Sequence, residues 1–318
     1  MVVLDELQGL AGAKSFIHGL FRRDFGLHAI LLYGAQGSGK TTLAQAVSTY
    51  WTCTAPSESG PCGKCQSCVA MDRGSHSDVM VFEPVGRGRI IPVSAIKEPK
   101  QRKDSDPPIP LATFVRTGPL MGRNKVAIFE DCDRMTSDAA NAILKILEEP
   151  PSNTKLILTT SLISRILSTV LSRCHAIACE LPPSLESDAP VELVQLAEGS
   201  PGQLHIICGA SEIYVRLADF ARNLGAKRKA HALTLSDDFR DICGDLEKHL
   251  KTNARQAQAE ALRLLAQELA RSKQFDSESV QAAIEAHRRI LGNANASFVF
   301  DALFTSLLPA KTGAISQR

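Results

Sequence analysis

Residues 29–41 read Ala29-Ile30-Leu31-Leu32-Tyr33-Gly34-Ala35-Gln36-Gly37-Ser38-Gly39-Lys40-Thr41, and this stretch decides the fold. Five apolar residues in a row predict a short buried strand. The run breaks into a glycine-rich turn that matches the P-loop pattern G-x-x-x-x-G-K-T. Behind it Leu43, Val47 and Tyr50 return at helical spacing. Strand, loop and helix in that order are the context the pattern requires, and an accidental glycine-rich turn lacks them. The chemistry explains the spacing: glycines let successive N–H groups curl around a phosphate, and the helix N-terminus adds partial positive charge. Gly34, Gly37, Ser38, Gly39, Lys40, Thr41 and Thr42 are therefore the candidate nucleotide-binding residues. Lys40 would reach the β- and γ-phosphates of ATP or ADP and Thr41 would ligate Mg²⁺.

Outward from the loop, Val126-Ala127-Ile128-Phe129, Leu156-Ile157-Leu158-Thr159-Thr160 and Ala176-Ile177-Ala178-Cys179 are further strand candidates. Thr136 is placed to cap a helix whose Ala140, Ile143, Leu144 and Leu147 share a face, and Pro150-Pro151 ends it. Strands alternating with helices predict an α/β fold on a parallel sheet with both faces covered. Leu181-Pro182-Pro183 reads as a linker, and beyond it the pattern is almost wholly helical. Leu262, Leu265 and Leu269 line one face, and Val280, Ile284 and Leu291 another. Gly292-Asn293 reads as a C-cap, and Phe298, Ala302 and Leu308 belong to a last helix. The segment 98–110, rich in Pro, Lys, Arg and Asp, reads as an exposed insertion of undefined role.

Nine cysteines divide unevenly, four of them within sixteen positions. Cys53, Cys62, Cys65 and Cys68 are spaced C-x8-C-x2-C-x2-C, so that two-residue spacers and one longer loop can bring four thiolates onto a tetrahedral Zn²⁺. Gly60, Pro61 and Gly63 supply the turns. A redox dithiol is the alternative, since C-x-x-C also serves exchange chemistry. Four filled positions leave none for water, which points to structural rather than catalytic metal. His76 is read as a turn residue. Cys132, Cys174, Cys179, Cys208 and Cys243 are read as small core residues.

A chain of 318 residues suits two or three domains, and 44% hydrophobic with 22% charged residues is ordinary for a globular protein. Aromatics at 5% argue against a base-stacking platform as the main surface. A net charge of +2, from 36 basic and 34 acidic residues, is too balanced for a DNA-coating protein. Arg22-Arg23, Arg87 with Arg89, the lysines and arginine of 97–103, Lys227-Arg228-Lys229 and Arg288-Arg289 read as solvated faces. The N-terminus has no signal-peptide layout and no run of 18 apolar residues occurs, so a cytoplasmic location and no membrane partner are expected.

A P-loop followed closely by this cysteine spacing resembles the AAA+ subunits of the bacterial DNA polymerase III clamp loader. The resemblance continues through 137–151 (Ser-Asp-Ala-Ala-Asn-Ala-Ile-Leu-Lys-Ile-Leu-Glu-Glu-Pro-Pro). It includes Thr159-Thr160 at the nucleotide-sensor position and Ser172-Arg173-Cys174 at the arginine-finger motif. Gly199-Ser200-Pro201-Gly202 resembles the lid, and Asn293-Ala294-Asn295 opens what resembles the last collar helix. The resemblance implies an AAA+ domain over 1–180 with a zinc module at about 53–68. A short helical lid over 181–210, small enough to lack a helix, and an all-α oligomerising collar over 211–318 complete the expected plan.

Departures from the motif choose among members of that family. The hydrolysing tau/gamma motor ends its acidic strand Asp-Glu, whereas Glu130-Asp131 stands here, one methylene longer at the metal and one shorter at the water. No arginine occurs from Gly199 to His205, where the motor's lid would carry one. With 74–78 (Gly-Ser-His-Ser-Asp), Leu27-His28-Ala29 and no tau-like C-terminal extension, the resemblance implies the delta-prime stator. That subunit of the polymerase III holoenzyme is not itself a polymerase and would bind nucleotide with weak or no turnover. It would offer Arg173 in trans to the ATP of a neighbouring motor, within a hetero-pentamer of tau/gamma, delta and delta-prime. The assembly would open a sliding clamp at primer–template DNA. The alternatives are the motor itself, or an independent zinc-containing P-loop NTPase.

Overall fold

The structure, a computed structural model, describes residues 4, 7–23, 26–86, 88–99, 106–227, 229–272 and 274–308. Arg87, Arg228 and residues 100–105 of the basic insertion lie outside the described residues. The chain divides into two units, 1–186 with 199–202, and 187–198 with 203–318.

The first unit runs α1 (Ala11–Arg22), β1 (Ala29–Tyr33), α2 (Lys40–Thr52), α3 (Gln66–Asp72), β2 (Val79–Phe82), α4 (Leu111–Phe114), β3 (Lys125–Phe129), α5 (Ser137–Glu148), β4 (Thr154–Thr160), α6 (Ser168–Leu171) and β5 (His175–Ala178). The five strands form one sheet in the order β2-β3-β4-β1-β5, every pairing parallel. The α/β architecture expected from the sequence is present. Strand β1 lies between two neighbours, with Leu31 opposite Leu158 on one side and Ala176 on the other. Successive side chains therefore enter different layers. Leu31 packs with Ala127, Phe129, Ile143 and Phe114, while Ile30 and Leu32 pack with Ile17, Leu43, Val47 and Ile128. The predicted α2 face of Leu43, Val47 and Tyr50 is buried, and Thr136 caps α5 by accepting the Ala139 N–H at 3.2 Å.

Strand β2 was missed by the sequence reading, as was α1. Its four residues follow directly on Asp78, whose carboxylate organises the neighbouring loop. Asp78 has no exposed surface and accepts the N–H groups of Leu120 at 2.7 Å, Met121 at 2.8 Å and Gly122 at 2.8 Å. His76 is buried rather than a simple turn residue: its Nδ1 accepts the Asp78 N–H at 3.0 Å and its Nε2 meets Ser67 Oγ at 2.8 Å. Around 98–110, Glu98 accepts from Thr113 and Asp106 from Ser94, so the insertion's described ends are anchored to the first unit.

The second unit is helical throughout: α7 (Val191–Leu196), the bulk of α8 (Pro201–Gly209), α9 (Ser211–Asn223), α10 (Ala232–Leu250), α11 (Ala254–Arg271), α12 (Ser277–Leu291) and α13 (Ala296–Leu307). Asn253, Asp276 and Asn295 cap the last three helices. Leu262, Leu265 and Leu269 are buried as expected. The expected face of α12 is corrected, while Phe298 and Ala302 lie in the last helix, α13, as expected. Leu291 and Phe298 are exposed, and the buried positions are Ala283, Ala286 and Ile290, then Val299, Phe300, Leu303, Phe304 and Leu307. Helix α13 is apolar around most of its circumference, and edge-on packing of Phe239 against Phe300 and Phe304 selects its buried stripe. Asn293, not Gly292, takes the left-handed backbone after α12 (φ 69° against −81°). The stretch 181–210, expected to be small enough to lack a helix, carries both α7 and α8. Cys132, Cys179 and Cys243 are core residues and Cys174 is half-buried, but Cys208 is exposed on α8, where Leu204 and Ile207 take the inner face. Among the described residues, no helix is long and apolar enough to cross a membrane.

Burial pushes the Asp78 carboxyl upward, yet the three amides outweigh it and hold the group below the usual carboxylate range. A carboxylate whose folded pKa is depressed stabilises fully above its unfolded pKa, and that contribution disappears as pH falls through the folded value. Asp78→Ala is expected to cost about 3 kcal/mol at neutral pH, since three amides lose a charged acceptor. Its stability should also fall less than wild type between about pH 5 and pH 2. Urea titrations across that range check both; equal stability at pH 7 would remove the role.

Candidate functional site

The parallel order brings the carboxyl ends of the strands to one edge, where α/β sheets bind ligands. The loop after β1 closes against the end of β5. A Cβ on Gly34 would lie 2.2 Å from the Cys179 carbonyl oxygen, so only glycine fits. Gly39, at φ 90°, begins α2 in a left-handed conformation with Leu10 packed against it. Lys40 is buried, and its Nζ donates to the carbonyls of Gly34 at 2.9 Å and Ala35 at 2.7 Å. Burial pulls its pKa down, opposed by Cys179, Asp131 and Asp133. Ser38 Oγ is buried with no hydrogen-bond partner, an orphan polar atom inside the loop. Gly37, Thr41 and Thr42 complete the loop and the first turn of α2.

Glu130 and Asp131 follow β3. Burial, then Glu83 and Asp131, push the Glu130 carboxyl above the usual range, and a hydrogen bond with Thr41 works against that shift. Glu130 and the Thr41 hydroxyl thus meet at the carboxyl edge of the sheet, both oxygen donors of the kind a divalent cation takes. Asp131 sits in a left-handed backbone conformation (φ 46°), and its carboxylate faces Arg89 at 3.9 Å and Arg134 at 4.0 Å. Sequence reasoning missed this pair of guanidinium groups, because Arg89 reaches the site through a turn closed by the Val85–Ile90 bridge.

The sensor-position threonines are already engaged. Thr159 Oγ1 accepts the Asp131 N–H at 3.3 Å. Thr160 Oγ1 donates to Asp133 at 2.6 Å and accepts the Leu162 N–H at 2.9 Å. Asp133 was not singled out from the sequence; only its place in the acidic run 130–133 signals it. The segment 199–202 lies on the loop, with Ser200 Oγ donating to Gln36 O at 3.3 Å and Gly202 N to Gly37 O at 3.0 Å.

Arg173 lies between α6 and β5, apart from these groups in the chain. Its guanidinium contacts Glu148 Oε1 at 2.6 Å, Thr169 O at 3.0 Å and Ser172 Oγ at 3.2 Å, with about a third of the side chain exposed. Within the chain it is a surface ion pair. The other basic groups are solvated where described: Arg22, Arg23, Lys227 and Lys229 are exposed, and Arg288 and Arg289 pair with Glu285.

The structure brings Cys53, Cys62, Cys65 and Cys68 together, with all four sulfurs within 4.8 Å of one another. Cys65 Sγ lies 3.9 Å from Cys53 Sγ, close to the edge of about 3.8 Å for a tetrahedron of metal–sulfur bonds of about 2.3 Å. The N–H groups of Cys62, Cys65 and Cys68 point at the sulfurs of Cys53, Cys62 and Cys65 at 3.3–3.4 Å, as thiolates require. Arg123 and Asn124, entering β3, bind the carbonyls of Tyr50, Trp51 and Cys53 and so fix the root of this lobe. Four converging thiols with amide donors fit a thiophilic metal ion.

A family model described as "DNA polymerase III, delta subunit" matches residues 13–182, more than half of the chain. The chain belongs to this family. Over 187 residues it is 35% identical to the DNA polymerase III subunit delta' of Pseudomonas aeruginosa, covering 55% of this chain and 53% of that one. Over 147 residues it is 30% identical to the DNA polymerase III subunit gamma of Buchnera aphidicola, covering 46% and 36%. A DNA polymerase III gamma subunit-related protein from Thermotoga maritima superposes with a TM-score of 0.50 at 16% identity, over 92% of this chain and 98% of that one. That likeness supports the AAA+ fold expected of the family. The chain spans about half the length of the delta' relatives it matches.

Elemental analysis of the purified chain is expected to find one thiophilic divalent ion per molecule. Chelation, or Cys65→Ser, should lower the melting temperature by about 5 °C, which for a unit of this size is roughly 2 kcal/mol. A metal-free preparation with unchanged melting would show that the thiols serve another purpose.

Proposed function

We propose that the chain is the delta-prime stator of a DNA polymerase III clamp loader: it binds ATP or ADP with weak or no turnover and supplies Arg173 to a neighbouring subunit's nucleotide. The observation that carries this reading is the acidic strand end. Glu130 is half-buried with Glu83 and Asp131 acting on it, and Asp131, at the position of the water-orienting glutamate, faces two arginines instead. Thr160 has one hydroxyl proton, and it is directed to Asp133 rather than free for a phosphate. Phosphoryl transfer depends on positioning, and a carboxylate about 1 Å out of place costs roughly 100-fold.

The loop itself remains fit for binding. The loop amides, the orphan Ser38 hydroxyl and Lys40 would hold the phosphates once Lys40 leaves its carbonyl partners, and Thr41 with Glu130 would take Mg²⁺. Bound Mg²⁺ supplies charge neutralisation on the phosphates. The four cysteines would hold a structural Zn²⁺. In this reading 199–202 belongs to a lid over 181–210 and the helices of 211–318 form the collar. The partners are the tau/gamma motors and delta, and through them the sliding clamp and primer–template DNA. Arg173 carries a permanent positive charge on a short turn, the chemistry needed to stabilise a transferring phosphoryl group in trans.

The intact P-loop and the gamma relatives favour one second reading, a hydrolysing motor. Calorimetry and steady-state kinetics separate the two. The chain alone is expected to bind ADP or a slowly hydrolysed ATP analogue in the micromolar range and to show no DNA-stimulated ATPase. Arg173→Ala should assemble with tau/gamma and delta, yet lose clamp loading and most DNA-stimulated ATPase, because a finger is worth ~10³-fold or more at the site it serves. Robust ATPase from the chain alone would establish the motor; full activity of the Arg173→Ala complex would remove the finger.

A further inference from the structure

We infer that Glu148 is a positioning residue for Arg173, holding its guanidinium in a preformed orientation on the surface; the inference rests on the finger reading above. An exposed arginine ordinarily samples many rotamers, and an ion pair in water stabilises a fold by little. Here the head group is held at three points, Glu148 Oε1, Thr169 O and Ser172 Oγ. Of the five N–H donors of a guanidinium, three are thus engaged and two are left for an acceptor from outside the chain. Two of these partners, Thr169 on α6 and Ser172 just after it, are close neighbours of Arg173 in the chain. Glu148 is not: it is the last residue of α5, set by a different part of the fold.

Helix α5 is firmly placed. Thr136 caps its start, Ala139, Ala142, Ile143 and Leu147 bury its inner face, and His28 Nε2 binds the Leu147 carbonyl at 2.9 Å beside Glu148. The turn leading into α5 contains Asp133, which Thr160 holds at the end of β4. A carboxylate at the far end of this helix therefore occupies a defined point relative to the sheet. A reaction that needs a cation placed within a fraction of an ångström gains from such a tether.

The test compares Glu148→Gln, Glu148→Asp, Arg173→Ala and the double variant Glu148→Gln/Arg173→Ala, each reconstituted with tau/gamma and delta, by DNA-stimulated ATPase. Glu148→Gln is expected to lower kcat roughly tenfold with KM for ATP and complex assembly unchanged. Glu148→Asp should restore part of the loss, and the double variant should be no slower than Arg173→Ala. A Glu148→Gln complex that matches wild type, while Arg173→Ala fails, would overturn the positioning role and leave the finger standing. A faster Glu148→Gln complex would also overturn it, because the carboxylate would then be restraining the arginine. Full activity of Arg173→Ala would overturn the finger, and the positioning role with it. Melting curves of the isolated variants should superimpose, since the ion pair is largely solvated.

Discussion

Strand β1 must have both edges paired and both faces covered, and the first unit is built around that requirement. Its amides and carbonyls are satisfied by β4 on one side and β5 on the other, and its alternating side chains enter two separate apolar layers. A parallel strand so enclosed can end only by turning out at the sheet's carboxyl edge, and the loop that does so passes within van der Waals contact of the Cys179 carbonyl. The phosphate loop, the acidic residues after β3 and the threonines after β4 are neighbours because the sheet is parallel, although they are far apart in the chain.

The cysteine lobe grows from the same frame. Cys53 follows the last residue of α2, whose first turn belongs to the P-loop. Arg123 and Asn124 tie the terminal carbonyls of α2 to the start of β3, so the cysteine lobe and the strand that leads to Glu130 share one anchor. Asp78 gathers the amides of 120–122 immediately before that anchor. A buried charge satisfied by three N–H groups thus supports both the lobe and the sheet from below.

Features encoded in a few consecutive residues were legible in the sequence. The P-loop, the C-x8-C-x2-C-x2-C cluster and the Thr136 cap each carry their physical reason within a dozen positions, and the structure brings the predicted residues together. Features decided by tertiary context were not. Val79–Phe82 is a strand because β3 is there to pair with it, and four residues beside a turn give no period to read. On α13 nearly every position is apolar, so the buried stripe is chosen by Phe239 rather than by pattern. On α12 the inner face belongs to Ala283 and Ala286, small residues that allow close approach but score weakly beside Val280, Ile284 and Leu291. Cys208 follows the same logic on α8. Arg89 beside Asp131 depends on a loop conformation that local residues do not announce.

Under the proposed function, an intact P-loop beside an acidic end unsuited to hydrolysis is physically coherent. The loop is held by demands that have nothing to do with hydrolysis: Gly34 must clear Cys179, Gly39 must begin α2 in a left-handed conformation, and Lys40 satisfies two loop carbonyls even without a phosphate. Changing these residues disturbs the centre of the sheet. The acidic side chains are under less constraint: the backbone N–H groups of Glu130 and Asp131 are held by Phe82 O and Thr159 Oγ1, but their side chains pack into neither layer. Positioning for water activation can therefore be lost there while the fold and the phosphate cradle persist. Arg173 stands on the opposite footing. Its contacts add little to stability, so the fold alone gives no reason for a fully charged side chain fixed at three points on an exposed turn. The role proposed for Arg173, toward a partner's phosphate, would supply one.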